Sequence, residues 1–267
     1  MQTITMLGTG YATATQCYNT CFLLQDDTTK LLVDAGGGNI ILQQLQRVNI
    51  ELNQIHYLFI THAHTDHILG AVWVLRMIMQ QIRQGKYTDC LHVYGNDKAM
   101  HVLDWICRNT LPAKLVKLLN DKVLLHTLTD GENFSINDWN LTAFDIHSTK
   151  EKQYGFRLVF PNNKTLVCLG DEPYNEDNKL YVEHADWLLS EAFCLNADAD
   201  IYHPYEKHHS TTLDAAQLAQ KLQTKNLLLY HTEDKTLNTR KVKYTEEAKK
   251  AFSGNVFVPN DLETIHL

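Results

Sequence analysis

The chain has no CxxC pair, no Pro/Gly/Ser-rich linker, no low-complexity tract and no internal repeat. Lacking a linker or repeat, it reads as a single domain over residues 1–267, long enough to bury a sizeable core. The N-terminal stretch "MQTITMLGTGYATATQ" has no basic segment and no long apolar core. A signal peptide is therefore not expected, and the expected location is cytoplasmic. Cys17, Cys21, Cys90, Cys107, Cys168 and Cys194 then read as reduced thiols rather than a disulfide framework. The longest mostly apolar run, "ILGAVWVLRMIMQQI", is broken by Arg76 and is too short to span a bilayer, so no membrane partner is expected. A basic excess is also missing. The net charge of −7 gives no support to a broad polyphosphate-binding surface, which needs Lys and Arg at the phosphates. One local exception, "KTLNTRKVKYTEEAKK" at 235–250, sets six basic residues against two acidic ones and reads as a solvated helix face.

What is present is an alternation of short apolar runs and helical stretches. "TITMLGTG", "NTCFLLQDD", "KLLVDAGGG" and "QIHYLFI" read as strands bounded by Gly and Asp, with "NIILQQLQRV" a helix among them. "ILGAVWVLRMIMQQIRQG" has helical length with apolar residues on nearly every face, so the fold or a partner subunit is expected to cover it. After a helix at "DKAMHVLDWICRN" come strands at "KVLLHTL", "NFSI", "NLTAFDIH", "YGFRLVF" and "TLVCLG". The last third adds strand "DWLLSEAF", helix "TTLDAAQLAQKL", strand "NLLLYH", the charged helix and a short strand "NVFV". Strand blocks each followed by helices predict an α/β fold of two sheets with helices outside. The GxG at Gly8–Gly10 lacks the third glycine and the following helix of a dinucleotide site, which is rejected.

The chemistry concentrates in "THAHTDH", directly after an apolar strand. His62 and His64 sit two residues apart and can aim at one point; Asp66 and His67 follow and can face a second. Imidazole and carboxylate are ligands for zinc, and Mn²⁺ or Fe²⁺ accept them too. A histidine-rich surface loop is the plain alternative, but the cluster's place at a strand end argues against it. His147 closes "LTAFDIH", Asp171 closes "TLVCLGD" and His231 closes "NLLLYH". The same residue types recur where strands end, the usual place for active-site residues.

"THAHTDH" resembles the HxHxDH signature of the metallo-β-lactamase superfamily. "SEA" with "HST" resembles its ribonuclease Z-like branch, and the likeness runs through most of the chain. The resemblance implies a four-layer αββα metallo-β-lactamase sandwich with two zinc ions. One ion would be held by His62, His64 and His147, the other by Asp66, His67 and His231, with Asp171 bridging both. Asp34 would orient a ligand histidine or buttress the loop. The implied reaction is hydrolysis of a phosphodiester by a metal-bridging hydroxide, with Asp66 also orienting the nucleophile. A leaving group needs a proton, and His209, in "KHHST", is the expected acid, hydrogen-bonded to Glu191 of "SEAF". The plain alternative for His209 is a helix N-terminal residue beside a capping Ser210 or Thr211. His184 and His203 match no family position and read as structural. A homodimer is also implied.

Two features depart from ribonuclease Z. The flexible basic arm that binds tRNA has no room in "YGFRLVFPNNKTLVCLGD", which reads as a tight hairpin around "PNNK". The segment after the last histidine is "HTEDKTL", with acidic Glu233 and Asp234. Both features disfavour tRNA and favour a small or cyclic phosphodiester or a short RNA end. Hydrolysis of a thioester, lactone or lactam on the same scaffold is the second reading, and a non-catalytic metal-stabilised scaffold the third. Tyr11, Tyr174 and Tyr205 are candidate rim aromatics.

Overall fold

A computed structural model describes residues 1–267 as two compact units. The first comprises Met1–Gly8, Tyr18–Thr129 and Asp261–Leu267; the second comprises Thr9–Cys17 and Asp130–Asn260. No helix is long and apolar enough to cross a membrane.

The first unit is a seven-stranded mixed sheet. Its strands are β1 (Thr3–Gly8), β2 (Cys21–Gln25), β3 (Lys30–Val33), β4 (Tyr57–Ile60), β5 (Leu91–Gly95) and β6 (Val123–Thr127), with β14 (Thr264–His266) at the far edge in the order β14-β1-β2-β3-β4-β5-β6. β3 to β6 run parallel, joined by crossovers through α1 (Ile40–Arg47), α2 (Thr65–Arg83), α3 (Asp97–Thr110) and the single turn α4 (Ala113–Val116). Alternate strand residues such as Leu32, Leu58 and Val93 pack with Leu45, Val74, Leu75 and Leu103 from the helices in one core. The long apolar helix α2 is thus mostly covered by its own unit, although Trp73 stays 40% exposed. Gly70 of α2 is required by close approach: a Cβ there would lie 1.8 Å from the Ala35 carbonyl oxygen. Gly8 is needed likewise, since its Cβ would meet the Asn19 carbonyl oxygen at 2.1 Å, which accounts for the glycine at this position of the GxG without a nucleotide. Tyr18 donates its hydroxyl proton to the Ala35 and Gly38 carbonyls at 2.8 Å, pinning the glycine loop that follows β3.

On the other face of this sheet Tyr57, His92, Tyr94 and His126 file across β4, β5 and β6. His92 Nδ1 lies 2.9 Å from His126 Nε2. Partial burial, and then the neighbouring imidazole, hold both pKa values below the ordinary histidine value; the neighbour is His56 for His92 and His92 for His126. The folded state therefore favours the neutral rings. Their contribution to stability is complete above the unfolded pKa of about 6.5 and is lost as pH falls through the lower folded values. Thermal melts between pH 7.5 and 5 should show a loss on the order of 1–2 °C that the His92→Gln/His126→Gln double variant lacks, small because solvent screens both rings.

The second unit carries another seven-stranded mixed sheet in the order β13-β12-β11-β10-β9-β8-β7. Its strands are β7 (Asn133–Ile136), β8 (Trp139–Asp145), β9 (Tyr154–Val159), β10 (Thr165–Cys168), β11 (Trp187–Glu191), β12 (Asn226–Tyr230) and β13 (Asn255–Phe257). β7 to β10 are antiparallel neighbours and β10 to β13 parallel ones. The β9–β10 connection is the tight hairpin expected around "PNNK", closed by the Phe160 amide on the Lys164 carbonyl at 2.9 Å. Short helices α5 (Lys179–Val182) and α6 (Ala199–Tyr202) precede α7 (Thr212–Lys221) and α8 (Leu237–Ala248). Ala215, Ala216 and Ala219 of α7 and Tyr244 and Ala248 of α8 cover Leu188, Leu227 and Leu229 of the sheet. The small side chains of α7 let it sit close to the strands.

Of the six basic residues at 235–250, five are exposed as expected and one is not. Arg240 is fully enclosed, donating to Thr232 Oγ1 at 2.7 Å and to the Pro259 carbonyl at 2.9 Å. It ties α8 to the residue after His231.

Candidate metal centre

In a parallel sheet, loops after the strands' carboxyl ends gather at one edge. In the first unit β3 and β4 are parallel neighbours, so Asp34, after β3, meets Thr61 to His67, after β4. Asp34 adopts the left-handed conformation at φ 53°, sparsely populated for a residue with a Cβ and often found at functional sites. Its Oδ1 accepts the Thr61 amide at 2.9 Å. Its Oδ2 accepts both the Thr61 hydroxyl and His67 Nδ1 at 2.7 Å.

The protons can be followed from there. A carboxylate only accepts, so His67 carries its proton on Nδ1 and, in the neutral ring, presents the lone pair of Nε2. That atom lies 3.2 Å from Asp66 Oδ2. The single Thr61 proton goes to Asp34, so the contact of Thr61 Oγ1 with His62 Nδ1 at 2.9 Å is a bond donated by the histidine. His62 then presents its own Nε2 lone pair, 2.8 Å from His64 Nδ1. That separation suits two nitrogens on one cation, since zinc–nitrogen bonds of about 2.0–2.1 Å put neighbouring ligand atoms roughly 3 Å apart. The donor set of this loop therefore fits a divalent metal. Asp34→Asn would replace an acceptor by a donor facing His67 or Thr61. It should weaken metal affinity about 10–100-fold in competition with a chromophoric zinc chelator, without removing any ligand.

In the second unit Asp171, Glu191 and His231 stand at the ends of parallel neighbours β10, β11 and β12, and His147 follows β8. His147 and His231 are left-handed at φ 59° and 56°, as Asp34 is in the other unit. His231 Nε2 lies 3.6 Å from Asp171 Oδ2, and the Gln153 amide nitrogen donates to Asp171 Oδ1. Asp66, His67, Asp171 and His231 are buried, as is His62, and His64 is half-buried. Burial of so many carboxylate and imidazole groups is costly unless they are paired or bind a cation.

His209 is 8% exposed, its ring stacked on Phe193 at 15° and 5.2 Å and set 5.2 Å from the His231 ring. The expected hydrogen bond to Glu191 is replaced by a longer contact, 3.5 Å from His209 Nδ1 to Glu191 Oε2. The other oxygen, Oε1, is taken by the amide of Ser210 at 2.6 Å and by its hydroxyl. Glu191 thus fixes the register of "HST" through Ser210. The helix cap belongs to Thr211, which forms a capping box with Asp214. His184 and His203, both left-handed, lie apart from these contacts, and His203 faces only Glu206 at 3.7 Å.

A pocket of about 260 Å³ in this unit brings His147 and His209 to one wall with Glu172, Tyr174, Tyr205 and His208. Burial first, and Glu176 second, push the Tyr174 phenol up to about 12, so it stays a proton donor at neutral pH. Tyr11 packs edge-on against Phe193 at 5.1 Å.

Glu233 and Asp234 differ from what their sequence suggests. They do not present an acidic surface. Glu233 accepts the Lys235 and Thr236 amides and the Tyr202 hydroxyl just before α8, and Asp234 accepts the Thr15 and Gln16 amides at 2.6 and 3.0 Å. Both are buried and committed to the backbone. Their acidity therefore does not weigh against a nucleic-acid substrate. Thr61, Gln153 and Ser210 were not legible as site residues. Only the fixed offset of Thr61 and Ser210 from the motif histidines could have signalled two of them.

A family model described as anti-Pycsar protein Apyc1 matches residues 2–254. The chain belongs to this family. It is also similar to the ribonuclease Z of Prochlorococcus marinus (strain AS9601), at 24% identity over 99% of both chains. Among solved structures it resembles the metallo-β-lactamase fold protein YhfI from Bacillus subtilis (TM-score 0.79, 19% identity, 99% of this chain and 98% of that one). It likewise resembles the short form of human tRNase Z (TM-score 0.75, 20% identity, 99% and 98%). The fold is the metallo-β-lactamase fold, an α/β architecture of two helix-flanked sheets, as the sequence leads one to expect. The Apyc1-family chain is a ribonuclease Z-like member of that superfamily and a metal-dependent hydrolase.

Proposed function

We propose that the chain is a dinuclear zinc phosphodiesterase acting on a small or cyclic phosphodiester or a short RNA end. The ligand assignment follows the resemblance: His62, His64 and His147 for one ion, Asp66, His67 and His231 for the other, and Asp171 for both. Bound divalent ions would supply Lewis acidity toward a phosphoryl oxygen and lower the pKa of a water. The chain's own residues do the rest. Asp34, directly and through Thr61, sets which nitrogens of His67 and His62 face outward. Asp66 orients the attacking water. As the phosphorus–oxygen bond breaks, His209 gives its proton to the leaving oxygen, with the Glu191 carboxylate 3.5 Å away to stabilise the ring while it is charged.

The observation that carries this reading is the buried His209, backed by Glu191, on a pocket that it shares with His147. A thioester leaves as a stabilised thiolate and needs no such acid, whereas an alkoxide leaving phosphorus does. The short β9–β10 hairpin supports a small substrate or an RNA end over a whole tRNA, whose binding arm would occupy that connection. A homodimer belongs to the same reading by resemblance.

The experiment is hydrolysis of bis(p-nitrophenyl) phosphate by purified protein. Turnover should be abolished by a chelator and restored by zinc, with Mn²⁺ and Fe²⁺ compared. Turnover of thioesters or lactones but of no phosphodiester would sink the proposal.

A further inference from the structure

We propose that Glu172 is a specificity-determining residue that accepts a hydrogen bond from the 2′-hydroxyl of a ribonucleotide substrate. This rests on the phosphodiesterase reading, and adds to it which sugar the pocket selects.

Glu172 is 6% exposed, yet it lines the pocket that holds His147 and His209. Its two oxygens differ. Oε1 accepts the Ser148 hydroxyl at 2.8 Å and faces Lys150 Nζ at 3.5 Å. The Ser148 oxygen meanwhile accepts the amides of Lys150 and Glu151 at 3.2 Å, so its one proton is committed to Glu172. Oε2 has neither a hydrogen bond nor an ion pair within the protein. It is not sealed off from open space, on a residue that lines the pocket. The carboxylate is therefore held rigidly by one oxygen and offers the other to whatever enters the pocket.

A buried carboxylate oxygen on a pocket wall selects a hydrogen-bond donor, because an occupant without one strips its water and returns nothing. The phosphate of the substrate belongs beside His147 and His209, so the donor must be carried by the group next to the phosphate. In a ribonucleotide that group is the ribose, and its 2′-hydroxyl is the neighbouring donor. Carboxylates commonly read sugar hydroxyls in this way, and the 2′-hydroxyl is what distinguishes RNA from DNA. The neutral phenols of Tyr174 and Tyr205 on the same pocket are suited to pack beside the nucleoside.

The test is calorimetric titration of the full chain with uridine 3′-monophosphate and with its 2′-deoxy counterpart, neither of which offers a phosphodiester to cleave. The wild type should bind the ribonucleotide about tenfold more tightly, the usual effect of a hydrogen bond to a charged group. Glu172→Gln keeps an oxygen toward Ser148 and turns an amide toward the pocket, which leaves the hydroxyl a neutral hydrogen bond in place of a charged one, so the ratio should fall to about two to three. A wild-type ratio near one, a ratio that persists in Glu172→Gln, or no binding of either nucleotide would overturn the inference. Should Glu172→Gln fail to fold by circular dichroism, Glu172→Asp, which withdraws the acceptor by one methylene, is read by the same criteria. Bis(p-nitrophenyl) phosphate carries no hydroxyl donor, so its turnover reads the phosphodiesterase reading separately.

Discussion

His64→Ala is expected to lower the metal content of the purified protein and to cut phosphodiester turnover about 10³-fold or more. In the proposed centre His64 shares one ion with His62 and His147, and the 2.8 Å approach of His64 Nδ1 to His62 Nε2 is the contact that cation would occupy. Removing the ring leaves two histidine ligands and the shared Asp171. The lost Lewis acidity is worth several kcal/mol in the transition state, hence the size of the effect. The fold should survive, because His64 is the half-buried residue just before α2 and contributes no side-chain cap. Metal analysis and thermal melts on the same sample separate the two effects. An unchanged metal content with full activity would remove His64 from the centre.

His209→Ala should behave differently: full metal content and a turnover loss that depends on the leaving group. An alkyl phosphodiester, whose alkoxide must be protonated, should slow by about 10²–10⁴-fold. A p-nitrophenyl ester, whose phenolate leaves unaided, should slow only a few-fold. Some loss of stability will accompany it, since the ring stacks on Phe193 and fills a buried position. His209→Gln fills more of the space and should show the same leaving-group dependence, which a merely structural role would not produce. Equal losses on both esters, or loss of metal, would make His209 a packing residue.

Much of both sheets, and the histidines and aspartates that close their strands, was legible because the signals are local. "THAHTDH" follows an apolar strand, and the ends of "LLVD", "LLLYH" and "TLVCLGD" mark where β3, β12 and β10 stop. Two strands were not read. β5, "LHVYG", alternates correctly but spans five residues and places His92 and Tyr94 on the face that suggests a loop. β14 has three residues and exists through its pairing with β1 more than 250 positions earlier. The points where the chain passes between the two compact units, as after Gly8 and Thr129, lie in ordinary sequence with no linker composition to mark them. The supporting residues escaped for a related reason. Gln153 acts on Asp171 and Ser210 on Glu191 across separate elements, and nothing in a Gln or Ser announces that. Glu233 and Asp234 show the converse error. Two adjacent acids look like a surface feature until their backbone partners are known.

The most direct test of the dinuclear assignment is the metal-to-protein ratio of the chain, as purified and after reconstitution with zinc. The account predicts two ions per chain, falling toward one in His64→Ala. A wild-type protein that takes up no metal after reconstitution, or one ion that His64→Ala leaves unchanged, would contradict it.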